Sequence, residues 1–129
     1  MIDSNLVISD NTDIGIAAGT AVDTFDLGLA GYGPGNPVRL KIQITEALAS
    51  AGSATLAISI TSGATEGTDT ITLHSLAATA YDDASLALGK TIVDIVLPDN
   101  VYRWIEITYT IGTATTTAGT AFAWLEPVA

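Results

Sequence analysis

A chain of 129 residues suits one domain, and without a single cysteine it has no access to disulfides or thiolate metal sites and folds on its apolar core. Four Lys and Arg against 14 Asp and Glu give a formal charge of −10, which supplies no cation cluster for nucleic acid and repels an anionic membrane surface. The same charge favours a basic protein surface as partner, through an attraction that salt weakens.

The opening Met1-Ile2-Asp3-Ser4-Asn5 has neither the basic start nor the long apolar run of a signal peptide, so synthesis in the cytoplasm is expected. Residues 3–10 are polar and strand-like, with a short strand expected at 5–9 and another at 20–27. The run Gly31-Tyr32-Gly33-Pro34-Gly35-Asn36-Pro37 reads as a turn, because Pro34 removes an N–H and Pro37 leads into a strand where a phosphate-binding loop must open a helix. It leads into the clearest strand: Val38, Leu40, Ile42 and Ile44 point one way, Arg39, Lys41, Gln43 and Thr45 the other. Leu56, Ile58 and Ile60 repeat the pattern against Thr55, Ser59 and Thr61.

A weaker strand is expected at 70–76, with His74 alternating to the face of Thr70 and Thr72. The Ala-rich stretch 76–88 suits a loop around Tyr81-Asp82-Asp83, with room for one helical turn. Ile92-Val93-Asp94-Ile95-Val96-Leu97 is apolar on both faces, which predicts a strand covered on both sides. Ile105, Ile107, Tyr109 and Ile111 oppose Glu106, Thr108 and Thr110. Thr120-Ala121-Phe122-Ala123-Trp124 alternates small with aromatic within a last strand at about 117–126. About eight strands separated by Gly, Pro and Asn turns predict a single all-β domain over 1–129, an antiparallel β-sandwich of jelly-roll type with a short N-terminal arm at about 1–19.

Little in the chain points to catalysis. His74 is the lone histidine, no G-x-S-x-G elbow is present, and a solvent-facing strand residue is its simplest role. Of the acidic pairs Asp10/Asp13, Asp23/Asp26 and Asp82/Asp83, the first sits in a calcium-loop-like stretch with Gly15 at the sixth position. Ile14 takes a ligand position there, however, and Ala21 stands where a bidentate Glu belongs, so no metal or other cofactor is assigned. The informative residues are aromatics and sparse cations. With Ile105, Ile107 and Tyr109 inward, strict alternation puts Tyr102, Trp104 and Glu106 outward, where Trp and Tyr serve protein contacts; a bulge would return Trp104 to the core. Arg39 and Lys41 hold half the positive charge on one strand face. The candidate protein-interface residues are Leu6, Ile8, Arg39, Lys41, Tyr102 and Trp104.

Several segments carry a family resemblance. They are Leu6-Val7-Ile8-Ser9-Asp10, Thr24-Phe25-Asp26-Leu27-Gly28, the run from Gly35 to Ala47, and Ala51-Gly52-Ser53-Ala54-Thr55-Leu56. Leu97-Pro98, Tyr102-Arg103-Trp104-Ile105, Tyr109-Thr110 and Thr117-Ala118-Gly119-Thr120-Ala121 follow in order. In these the chain resembles the Bbp16 family of bacteriophage capsid cement (decoration) proteins; the stretch 62–90 matches least. The resemblance implies a structural protein on the outer capsid surface of the virion, bridging major capsid proteins of the HK97-like fold and associating with other copies of itself as dimers or trimers. It implies partner binding through a terminal arm and sheet-edge pairing, and no active site. A carbohydrate- or ligand-binding sandwich module of a phage fibre or adhesin is the alternative from another class, with Trp104 or Tyr102 as a stacking platform.

Overall fold

The computed structural model describes residues 7–14, 19–26, 38–50, 53–67, 71–81, 84–97, 103–112 and 116–127. Among them eight strands form, all paired antiparallel: β1 (Val7–Asp13), β2 (Gly19–Asp26), β3 (Val38–Ser50), β4 (Thr55–Gly63), β5 (Ile71–Ala80), β6 (Thr91–Val96), β7 (Trp104–Gly112) and β8 (Thr116–Pro127). They build two four-stranded sheets, ordered β1-β8-β3-β6 (sheet A) and β2-β7-β4-β5 (sheet B). Apart from the β4–β5 hairpin, each strand is followed in sequence by one in the opposite sheet. That interleaving is a jelly roll.

Period-two alternation explains why the layers meet. β3 buries Val38, Leu40, Ile42 and Ile44; β4 buries Leu56, Ile58 and Ile60; β7 buries Ile105, Ile107, Tyr109 and Ile111. Each such large side chain contributes roughly 1.5–3 kcal/mol when fully buried, and that sum is set against the ordering entropy of the chain. β8 is the exception in size: its inward residues are Ala121, Ala123 and Leu125. The Tyr109 phenol crosses from sheet B to bond Ser9, whose strand partner is Ala123, so bulk supplied by the facing sheet reaches the neighbourhood of that alanine.

The structure redraws several expectations. β1 lies within the segment expected as an arm, yet it is an edge strand of sheet A, paired with β8 through register shifts at Val7/Ser9 and Ser9/Thr12. Asn11 takes φ 53° there, a left-handed conformation that Asn tolerates. The carboxylates Asp10 and Asp13 lie within this strand. β5 runs on to Ala80, beyond its expected end, and a single 3-10 turn at Ala84–Leu86 follows. His74 does not share a face with Thr72: Thr72 pairs with outward Thr61, and after a register shift His74 pairs with inward Ile60. One extra residue in β5 reverses the alternation, leaving His74 half-buried. Finally β6, expected to be covered on both faces, is an edge strand with Val96 49 % exposed. The Gly-Pro turn at 31–37 lies outside the described residues.

Candidate functional site

The chemistry of this chain is distributed over three places: the outer face of each sheet and the seam where β1 meets β2. Register fixes the outer face of sheet A. Arg39 pairs with Glu126, Lys41 with Trp124 and Gln43 with Phe122, and directly opposed residues point to the same side. The aromatic residues of β8 therefore face outward, against the intuition that the larger partner of an alternating pair goes inside. Phe122 and Trp124 pack with ring centroids 5.6 Å apart at 44°. Trp124 is nevertheless only 8 % exposed. Around them Lys41 Nζ lies 2.8 Å from Glu126 Oε1, and Arg39 lies 3.3 Å from Asp94. The hydrogen bond from Lys41 holds the Glu126 carboxyl below its ordinary range.

On sheet B the outward residues of β2 are Thr20, Val22, Thr24 and Asp26, aligned with Thr110, Thr108, Glu106 and Trp104 of β7. No register shift interrupts β7 against either neighbour, so Trp104 stays on the outer face and no bulge returns it to the core. It is half-buried, with the Arg103 guanidinium 5.8 Å from its ring centroid. Arg103 in turn donates Nε–H and Nη2–H to the two oxygens of Asp26, each at 2.7 Å. A bidentate pair of this kind fixes the guanidinium plane. Nearby, Thr24 donates to Glu66 at 2.9 Å.

The seam is polar. Ser9 Oγ donates to Asp23 Oδ2 at 2.7 Å, Thr12 Oγ1 donates to the same oxygen at 2.6 Å, and the Tyr109 hydroxyl lies 2.8 Å from Ser9 Oγ. With the serine proton committed to Asp23, Tyr109 is the donor of that last bond. Burial raises the Tyr109 phenol pKa well above its ordinary value. This relay ties β1 of one sheet to β2 and β7 of the other.

The sequence-derived interface residues are not brought together. Arg39 and Lys41 lie outward on sheet A, Trp104 outward on sheet B, and Ile8, at 9 % exposure, belongs to the core cluster. Leu6 and Tyr102 lie outside the described residues. Arg39 and Lys41 are each already paired with a carboxylate of the same chain, as is Arg103. Phe122 and Trp124 are the face residues that sequence reasoning did not select; the Ala121/Ala123 alternation carried the signal but not which half points inward. Asp23 and Asp26, considered together as a cation pair, point to opposite sides of β2. Among the described residues no three His, Asp or Glu side chains converge on a point that suits a metal ion.

A cleft of about 460 Å³ opens beside the end of β3, lined by Leu48, Ala49, Ser50, Ser53, Ala54, Ala80 and Tyr81. Among the described residues its lining holds no carboxylate, imidazole or cation, and the Tyr81 hydroxyl is committed to Ile14 O at 2.6 Å. Among the described residues Phe122, Trp124, Trp104 and the three ion pairs lie on the outer faces of the sheets.

A jelly-roll sandwich with its aromatic and charged groups on the sheet faces is the class of protein defined here. Residues 8–125 match the profile of the Bbp16 family, so the chain belongs to that family and is a phage-related protein. No curated protein matches it.

Proposed function

We propose that this protein is a capsid cement protein, which binds the outside of an icosahedral phage head and stabilises contacts between major capsid proteins by docking. The observation that carries this reading is the family match, which spans the jelly roll from β1 into β8. The distribution of chemistry supports it, since aromatic and ionic groups lie on broad faces that suit protein contact. Copies arrayed by capsid symmetry add many modest contacts, so each one alone can be weak.

Electrostatics supports the choice of partner. Three of the cations are neutralised within the chain, which leaves the excess of 14 acidic over four basic residues to shape the outward field. Basic patches on a shell are complementary to that field. Arg39 and Lys41 then act through their ion pairs, which hold the sheet A face around Phe122 and Trp124 in one arrangement, and not as free cations reaching for a partner.

The test is to mix purified protein with capsids lacking it and to measure co-sedimentation and capsid heat stability at rising salt. Binding that declines with salt and raises the temperature of head disruption is expected. No binding at low salt refutes the reading, and binding indifferent to salt removes its electrostatic part. Trp124→Ala on sheet A and Trp104→Ala on sheet B, compared in the same assay, report which face meets the shell.

A further inference from the structure

Among the described residues four strands are edges: β1 and β6 in sheet A, β2 and β5 in sheet B. An exposed edge carries unpaired backbone groups, and most proteins blunt it with bulges, charges or a covering element. β1 has two register shifts, a left-handed Asn11 and the acidic Asp10 and Asp13. It also lies against β2, so that these two edges cover each other. β5 has register shifts at Leu56/Ile58 and Ile60/Thr61.

β6 differs. All its residues except Asp94 are β-branched, and its register shift falls at its start, which leaves Val93 to Val96 straight. Asp94 is neutralised by Arg39. Two of the three large apolar side chains most exposed among the described residues, Leu88 at 62 % and Val96 at 49 %, lie at its two ends. Ile92 and Ile95 between them are only partly buried.

The backbone sets which groups point away from β3. Leu97 donates its N–H to Val38 O at 2.9 Å. From there the register continues unbroken through Val96↔Arg39, Ile95↔Leu40, Asp94↔Lys41 and Val93↔Ile42. Hydrogen-bonded and non-bonded pairs alternate in an antiparallel ladder, so Leu97, Ile95 and Val93 turn their N–H and C=O toward β3. Asp94 and Val96 turn theirs away from the sheet.

We infer that this edge pairs antiparallel with β6 of a second copy about a two-fold axis at Ile95, joining two A sheets into one. The inference deepens the self-association part of the cement reading and rests on it. In this register Asp94 and Val96 of one chain lie opposite Val96 and Asp94 of the other, and each such pair exchanges both backbone hydrogen bonds. The two Ile95 side chains meet at the axis in a narrow, non-bonded pair on the core side. Of the two neighbouring registers that retain the bonding pattern, one sets Asp94 against Asp94, a like-charge contact, and the other sets Asp94 against Pro98, which has no N–H to donate. The edge is thus complementary to itself, as a two-fold interface requires.

Sedimentation equilibrium across a dilution series tests this in solution, without capsids. A mass rising from 13.2 kDa to twice that value is expected. Val96→Glu faces the partner's Asp94 and Val96→Lys attracts it, so the Glu variant is expected to dimerise about tenfold more weakly than the Lys variant. The chain has no native cysteine, so Ile95→Cys is expected to form one oxidised dimer at the axis. Hydrogen exchange on the unaltered protein gives a readout free of substitution: the Asp94 and Val96 amides are expected to gain protection with concentration. A monomer at all concentrations overturns the inference, as does a dimer with equal Glu and Lys affinities or unprotected Asp94 and Val96 amides. A persistent monomer that still binds capsids overturns this interface alone; a β6 dimer that ignores capsids overturns only the capsid part of the reading.

Discussion

Replacing Ser9 by alanine removes the hydroxyl through which the Tyr109 phenol reaches Asp23. Tyr109 is fully buried, its O–H donates to Ser9 Oγ at 2.8 Å, and Ser9 passes its own proton to Asp23 at 2.7 Å. Ser9→Ala strands a buried donor, which costs about 1–3 kcal/mol. Tyr109→Phe removes the donor and leaves the Ser9–Asp23 bond intact, at about 1 kcal/mol. In the double variant no donor is stranded, so its cost falls short of the sum by about 1 kcal/mol, the signature of directly coupled side chains. Urea unfolding read by tryptophan fluorescence measures all three, and each kcal/mol lowers Tm by about 4 °C in a domain of this size. Strict additivity refutes the relay.

The same phenol predicts the alkaline behaviour. Burial raises its pKa above the ordinary 10.0, so the folded state holds the proton after the unfolded state has released it. Stability from this group is therefore complete below about pH 10 and declines as pH rises beyond that. Tyr109→Phe flattens the decline; Tyr81, also raised by burial, retains part of it.

Two further variants probe packing. Gly119 sits at φ +146°, and a Cβ there would lie 2.5 Å from Leu48 Cδ2. Its N–H donates to Glu46 and its carbonyl accepts from Ile14 N–H, which holds the backbone in place. Gly119→Ala is expected to cost about 1–3 kcal/mol in chemical denaturation. A Leu48→Ala background should recover the steric part and leave the backbone strain; full recovery would show the strain to be absent. Ala123→Leu overfills the space beside Tyr109 and should cost about 1–3 kcal/mol in the same assay, and a neutral result would mean that the interlayer has room to spare.

The strands were legible because a half-buried sheet writes its two environments into alternate residues. Val38 to Thr45, Thr55 to Thr61 and Ile105 to Ile111 each carried that pattern, and the turns between them carried the Gly and Pro that turns demand. The outward placement of Trp104 also followed from alternation once the strand proved free of bulges.

What alternation cannot state is which strand lies at an edge, where an extra residue slips the register, or which half of an all-apolar pattern points inward. Phe122 and Trp124 face out because their register on β3 aligns them with Gln43 and Lys41, a fact written in another strand. His74 changes face through one bulged residue in β5. β6 looked doubly covered, but strand order left it at the margin, with Val96 in the open. Local sequence set the period of each strand through its own pleat. The order of strands, and with it the identity of the faces and edges that can dock, came from long-range pairing between segments far apart in the chain.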